Sequence, residues 1–299
     1  MKKFVGLSAL IAASAMVLAG CAAATPTATS TASAAGVDAK AAALLPDAYK
    51  GGVNVASDIP YAPMEMFDKN NQPIGFDVDL ANAIGAKLGV KFKVEKQSFD
   101  TIIASIKAGK HDIIMSSMSD TTDRQKTLDF VDYFNGGASL LVSKGNAAGI
   151  TGMADLCGKP VAAESATWEI DLLNTQSDTC KKAGKPAVEI LALPGDTDAQ
   201  SAVRSGKAVA YLADSQLAAY AVKIAGNGSY FDLVIDPAAP NGYESGLIGV
   251  GILKGNDKLT AAIQAALQSL MDDGGYQALL TKWNLNSFSV PSATVNGTK

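Results

Sequence analysis

The residue best suited to gripping a charged small molecule is Arg124, which closes the stretch "SSMSDTTDR" at 116–124. Its planar guanidinium matches a carboxylate with two parallel hydrogen bonds. Ser116, Ser117, Ser119 and Thr121 surround it with short hydroxyls and backbone groups that let a small ligand come close. A helix beginning after Thr121 or Thr122 would add free N–H groups favouring the same anion. The competing local reading makes Thr122 an N-cap and Arg124 half of a surface ion pair, and the stretch alone does not choose. Asp214, after the apolar run "VAYLA", offers a carboxylate to a ligand ammonium or a cap to the helix beside it. Asp58, Tyr61 and Phe99 fall in loops after the first two predicted strands, where an aromatic stacks on a ligand or caps the core.

Placing these groups requires alternating strands and helices. A strand at 52–56 leads to "SDIPYAPMEM", and Phe76, Leu80, Ile84 and Leu88 repeat every four residues, as on an amphipathic helix. Val90, Phe92 and Val94 alternate like a strand, Ile102, Ile103 and Ile106 return to helical spacing, and "DIIM" is a strand entering the Arg124 loop. After "SLLVSKGN" a second series follows. Strands are predicted at 161–163, 188–193, 209–212 and 247–253, with helices at 167–173, 197–204, 215–225, 258–271 and 276–283. This order predicts an α/β fold with a largely parallel sheet. "FDTIIASIKAGKHDIIMSSMSD" and "TDAQSAVRSGKAVAYLADSQ" echo each other; aligned on their Gly-Lys pairs, Ser117 and Asp214 fall at equivalent strand ends. Ligands of open α/β sheets gather at such ends, so two similar lobes would present two polar loops to one cleft.

The 299 residues carry a net charge of −4 without a basic cluster, which argues against nucleic acid or anionic membrane surfaces as partners. A basic start and an apolar run at 4–18 suit a secretory signal and fall short of a span of ~20 residues. The run ends in Leu18-Ala19-Gly20-Cys21, which resembles a bacterial lipobox with Cys21 lipidated; an ordinary cleaved signal is the alternative. Residues 1–20 are thus expected to be a signal peptide, 21–45 a disordered tether rich in Ala, Thr and Ser, and 287–299 a flexible tail. With Cys21 assigned, Cys157 and Cys180 remain as a disulfide of an exported chain, or as two buried thiols. The single histidine, His111, and the lack of a C-x-x-C pair leave no metal site or cofactor to expect.

The segments "YAPMEMFDKNNQPIGFDVDLANAIGAKLG", "FDTIIASIKAGKHDIIMSSMSDTTDRQKTLDFVDYF", "SGKAVAYLAD" and "LLTKWNL" together resemble the extracellular solute-binding proteins of bacterial ABC importers, family 3, the polar amino-acid binders. Cys157 with "CKKAGKPAVEIL" resembles actinobacterial lipoprotein members. The resemblance covers roughly 51–283. It implies a two-lobe periplasmic-binding-protein-like fold of type II, with two hinge crossovers and the ligand in the interlobe cleft. Lobe 1 would be discontinuous, 46–143 and 242–286, and lobe 2 would be 144–241. Arg124, assisted by Ser119, would hold the ligand carboxylate. Ser117 and Asp214 would meet the ammonium, Tyr61 and Phe99 would flank the side chain, and Asp58 would face a distal cation in binders of basic amino acids. Ser116, Glu164, Thr167 and Trp168 complete the expected binding residues. The implied role is that of a monomer, lipid-anchored on the extracellular face of the cell membrane, handing a polar amino acid to ABC permease subunits.

The second lobe departs from the pattern. "ESATWE" stands where a Gly-Thr-Thr-like turn is common, so Ala166 replaces a glycine and Trp168 a small hydroxyl residue, while Val209 occupies a position often held by aspartate. Trp168 would either wall the pocket through cation–π contact or pack on the lobe surface. Asp58, Glu164 and Asp214 tilt the expected ligand towards extra positive charge, because unpaired buried carboxylates are unfavourable. Two other readings stand beside transport. One is a dehydratase-like enzyme with Glu164 or Glu169 as general acid; the other is a sensor for a membrane kinase. No G-x-S-x-G, Walker or zincin motif is present, and "GVGILKG" misses the dinucleotide spacing.

Overall fold

The computed structural model describes residues 36–239 and 242–298. The expected signal peptide and Cys21 lie outside the described residues, as does most of the expected tether. The elements run α1 (Ala39–Leu44), β1 (Val53–Ser57), β2 (Met66–Phe67), β3 (Pro73–Ile74), α2 (Phe76–Leu88), β4 (Phe92–Lys96), α3 (Phe99–Lys107), β5 (Ile113–Ile114) and β6 (Leu128–Ser143). They continue as β7 (Pro160–Glu164), α4 (Trp168–Lys182), β8 (Glu189–Leu193), α5 (Asp196–Arg204), β9 (Ala210–Asp214), α6 (Ser215–Ile224), β10 (Phe231–Leu233), β11 (Tyr243–Leu253), α7 (Asp257–Asp272), α8 (Gly275–Trp283) and β12 (Thr294–Val295).

The main sheet has the order β4-β1-β5-β11-β6-β9-β7-β8, with β10 and β12 also on β6. It is parallel in its two outer parts, where β1 joins β4 and β5, and β7 joins β8 and β9. The largely parallel expectation fails in the middle, where β6 runs antiparallel to β11 and β9. β6 spans both halves: 128–138 pairs with β11, and 138–142 pairs with β9. Its near-continuous apolar sequence, "LDFVDYFNGGASLLVS", lacks the alternation that would have announced a strand.

Each half of the sheet is covered on both faces, giving four apolar cores. The four-residue stripe of α2 drives one of them: Phe76, Leu80 and Ile84 are fully buried against Tyr133, Phe134 and Ile263. Fully burying each such side chain contributes about 2 kcal/mol. α2 stops at Gly89 (φ 72°), whose N–H returns to the carbonyls of Ala86 and Gly85. Gly75, at its start, has φ 138°, and a Cβ there would overlap the Met64 carbonyl. That close approach sets Glu65 beside Asp77.

Two segments expected to be loose are ordered where they are described. Part of the 21–45 tether forms α1, capped by the Asp38 carboxylate and held by burial of Ala41 and Leu45. The 287–298 tail packs Val290 and Ala293 into the same core and adds β12 to β6. Small side chains suffice in both, because the neighbouring helices supply the apolar bulk. Cys157 and Cys180 are joined in a disulfide, with Cα atoms 5.6 Å apart, tying the segment before β7 to α4.

Candidate ligand-binding site

Two strand ends from different halves of the sheet face each other. β5 ends at Ile114, and Ser116 and Ser117 follow. The Ser116 hydroxyl donates to Glu65 Oε1 (2.7 Å) and accepts from the Asp58 N–H (2.8 Å), fixing the loop after β1 to the loop after β5. Ser117 adopts φ 45° and donates its N–H to Asp77 Oδ2 (2.8 Å) in the first turn of α2. The loop is then laced to β11: Asp120 N–H donates to Leu247 O, and Gly249 N–H donates to Met118 O.

No α-helix starts after Thr121 or Thr122; only a short 3-10 turn, Arg124–Lys126, follows. The helix N-terminus entertained for anion binding is therefore missing, and Thr121 accepts from the Arg124 N–H at 3.2 Å. Nor is Arg124 half of a surface ion pair. Its Nη1 donates to Ser119 O (2.9 Å), its Nη2 donates to Ala166 O from the opposite half (3.2 Å), and its Cζ lies 5.4 Å from the Phe99 ring centre. Phe99 is the first residue of α3, so the expected loop aromatic is a helix residue.

On the other side, β9 delivers Asp214. It occupies the N-cap position of α6, yet its side chain makes no capping bond. Its Oδ2 instead accepts from Tyr61 OH (2.9 Å), Ser117 Oγ (3.1 Å) and Gln216 Nε2 (3.0 Å). Gln216 Nε2 also reaches Ser117 Oγ at 2.9 Å. The turn after β7 supplies Glu164, Ala166 and Thr167, with the Thr167 hydroxyl closing back on Glu164 O. Ala166 takes φ 63°, the left-handed conformation natural to the glycine it replaces.

Asp58, Tyr61, Phe99, Ser116, Ser117, Ser119, Arg124, Glu164, Thr167, Trp168 and Asp214 all line one cavity, together with Glu169. Trp168 lines this cavity and also packs, partly buried, against the apolar core that includes Leu173. The space between these side chains is ≈ 20 Å³, about what one ordered water needs, so the two halves are drawn together. A larger recess of ≈ 470 Å³ beside Gly136 and Gly137 has no charged side chain in its wall.

The cavity is acidic. Its wall holds the carboxyls of Asp58, Glu164, Glu169 and Asp214 against the single guanidinium of Arg124. Burial and the neighbouring Asp58 carboxyl push Glu164 up to about 10. Among the described residues both Glu164 oxygens are out of water and meet no hydrogen-bond donor, so burial beside Asp58 favours the protonated, uncharged form of Glu164. Burial, then Asp214, raises Glu169 well above the carboxylate range. Asp214 rises less, because Tyr61 and Ser117 stabilise its charge against burial. Behind the wall, burial and Asp77 raise Glu65, while burial opposed by the Ser117 N–H leaves Asp77 at about 6. Desolvation lowers Arg124, partly offset by Glu169 and Asp214.

The model of bacterial extracellular solute-binding proteins, family 3, matches residues 53–286. The chain belongs to that family. Among its relatives, this solute-binding protein is 29% identical over 259 residues to the arginine-binding protein ArgT of Corynebacterium glutamicum, covering 85% of this chain and 82% of that one. An ancestral arginine-binding protein bound to arginine superposes with a TM-score of 0.69 at 30% identity, over 77% of this chain and 97% of that chain. An ancestral amino acid-binding protein, a precursor of cyclohexadienyl dehydratase, gives 0.65 at 33% identity, over 77% and 94%.

Three features of this family 3 member were not read from the sequence as part of the binding site. Glu169 was visible only as a possible general acid, although it lies in the first turn of α4, directly after Trp168. Gln216 and the Glu65–Asp77 pair carried no signal beyond proximity to Asp214 and to the "MEM" and "FDVD" segments. His111 is buried, hydrogen-bonded to Ser105 at 2.9 Å, and is not part of the cavity wall. No helix among the described residues is long and apolar enough to cross a membrane.

Proposed function

We propose that this protein captures a basic amino acid of the arginine type and delivers it to the permease of an ABC importer. The observation that carries the reading is the excess of buried carboxyls over cations in the cavity, above all Glu164 with no donor on either oxygen. A basic amino acid brings one carboxylate and two cations. Its carboxylate would take the guanidinium of Arg124, with Ser119 beside it. Its α-ammonium would sit on Asp214 and Glu169, near the Ser117 backbone. Its distal cation would meet Asp58 and Glu164, with Tyr61, Phe99 and Trp168 as aromatic walls. Each cation would thereby replace a proton that otherwise lets two buried carboxyls coexist. The arginine-binding relatives support the same ligand class.

In this reading 46–143 with 242–286 forms one lobe and 144–241 the other, and hinge motion about β6 and β11 admits the ligand. Cys21 would carry the lipid anchor, with the protein working as a monomer outside the cell. Calorimetry against the common amino acids and ornithine tests the assignment. Arginine, lysine or ornithine should bind tightly; tight binding of an acidic amino acid with none of these would overturn it.

The raised Glu164 and Glu169 carboxyls also suit a general acid, which keeps a dehydratase-like activity as a second reading. Absence of turnover with prephenate and arogenate would remove it.

A further inference from the structure

After α8 the chain crosses the first half of the sheet and comes back to the ligand loop. β12 sets Thr294 opposite Asp132 and Val295 opposite Val131. Asn296 pins the segment: its Oδ1 accepts from Phe130 N–H at 2.8 Å, and its Nδ2 donates to Asp129 Oδ1 at 2.9 Å. The Thr294 hydroxyl donates to Asp132 Oδ2 at 2.8 Å. The segment then reaches Asp120, where Thr298 N–H donates to Oδ2 at 3.1 Å. Gln125 Nε2 closes the ring by donating to both Asp120 Oδ1 (2.8 Å) and Thr298 O (2.9 Å).

These contacts bracket Arg124. Asp120 is 2% exposed and lies between Ser119, whose carbonyl receives Nη1, and Thr121, whose hydroxyl receives the Arg124 N–H. Gln125 follows Arg124 directly. Up to Asp120 the loop is tied to β11, but beyond it the backbone N–H groups of Gln125, Lys126 and Thr127 bond only within their own turn. At its far end the turn is held where Lys254 N–H donates to Thr127 O (3.0 Å), and between Asp120 and Thr127 the ring through Thr298 supplies its tie to the fold on the side away from the cleft. A guanidinium carried on a loosely held turn would lose conformational freedom when it met a ligand, and affinity would fall accordingly.

We propose that residues 294–298 are a strap that positions the Arg124 turn, so that ligand affinity depends on a segment contributing nothing to the cavity wall. The strap rests on Arg124 being the carboxylate grip. Asn296→Ala combined with Thr294→Ala detaches it from β6 and leaves Val290 and Ala293 in the core; Gln125→Leu breaks the ring from the other end. In the full chain, each should weaken arginine binding at least tenfold by calorimetry. Each should also speed amide hydrogen exchange at 116–126, while exchange in β7, β9 and α4 stays as in the parent. Thr294→Ser, which keeps the hydroxyl for Asp132, should retain parental affinity. Parental exchange at 116–126 in both disrupted variants would overturn the strap, as would parental affinity. If the parent chain binds no basic amino acid, the ligand reading falls, and the exchange comparison still decides the strap.

Discussion

Ser117 and Asp214 are 97 residues apart in the chain, yet the hydroxyl of one lies 3.1 Å from the carboxylate of the other. Ser117 lies just past the end of β5 and Asp214 ends β9, one in each half of the sheet, and Gln216 bonds to both. The carboxylate accepts three side-chain donors on Oδ2 and lines the cavity. Asp214→Asn removes the charge that would hold a ligand ammonium and keeps the shape. Hydrogen bonds to charged groups contribute about 1.5–3 kcal/mol, so amino-acid affinity should fall by roughly 10- to 100-fold. The ligand-free thermal midpoint should hold or rise, since Glu169 loses a buried carboxylate neighbour. Unchanged affinity by calorimetry would remove Asp214 from the site.

Arg124 presents a flat fork that spans Ser119 O and Ala166 O over the Phe99 ring. Arg124→Lys keeps the charge but loses the bidentate geometry and the planar face. Affinity for arginine should drop on the order of 100-fold, about 2.7 kcal/mol by the usual conversion. Agmatine, which lacks the α-carboxylate, gives the control: its weak binding should change less than about threefold, within the scatter of surface substitutions. An equal loss for both compounds would mean that Arg124 acts on something other than the carboxylate.

Much of this site was legible because strand-end residues follow the hydrophobic pattern closely. The Gly-Lys echo in the sequence aligns Ser117 with Asp214, and in the fold the two are in contact. Burial was harder to read. Glu169 looks in sequence like an ordinary acidic residue in a helix's first turn, yet it is 3% exposed. The strand β6 was hidden because both its faces are covered, and alternation appears only where one face meets water. The segments 36–45 and 287–298 were misread as loose because their own side chains are small. Their order comes from partners far away in sequence, such as Asp38 receiving the Ser269 hydroxyl at 2.7 Å.

At Ala166 the family resemblance and the local backbone both favour glycine, and this chain carries a methyl group instead. A Cβ at φ 63° costs roughly 1 kcal/mol relative to glycine, and here the carbonyl of this strained residue receives Arg124 Nη2. Ala166→Gly should relieve that strain without moving the carbonyl. The thermal midpoint should rise by about 2–4 °C for a chain of this size, less whatever glycine adds to unfolded-state freedom. A fall in the midpoint would show that the methyl group's packing and the unfolded-state freedom added by glycine together outweigh the strain.

The pH dependence of stability should run opposite to that of a protein held by salt-bridged carboxylates. Burial beside Asp58 pushes Glu164 from the ordinary glutamate value of 4.5 in the unfolded chain up to about 10 in the fold. Between those values the folded state holds a proton that the unfolded state has released, so stability falls as pH rises, by up to about 1.4 kcal/mol per pH unit. Asp77, Asp132 and Asp196, each raised to about 6 mainly by burial, act in the same direction at the acid end of the window. The ligand-free midpoint should therefore decline from about pH 5 to pH 8. A cation arriving beside Asp58 and Glu164 displaces the shared proton, so arginine should bind more tightly as pH rises. Calorimetry in buffers of different ionisation heat should then register proton release. Glu164→Gln should make the decline shallower, raise the ligand-free midpoint near pH 8 and reduce that proton release to the share from the Asp214–Glu169 pair, while weakening arginine binding. A ligand-free midpoint independent of pH across this range would mean that Glu164 meets solvent or a cation in the free protein, and the proton-sharing account would fail.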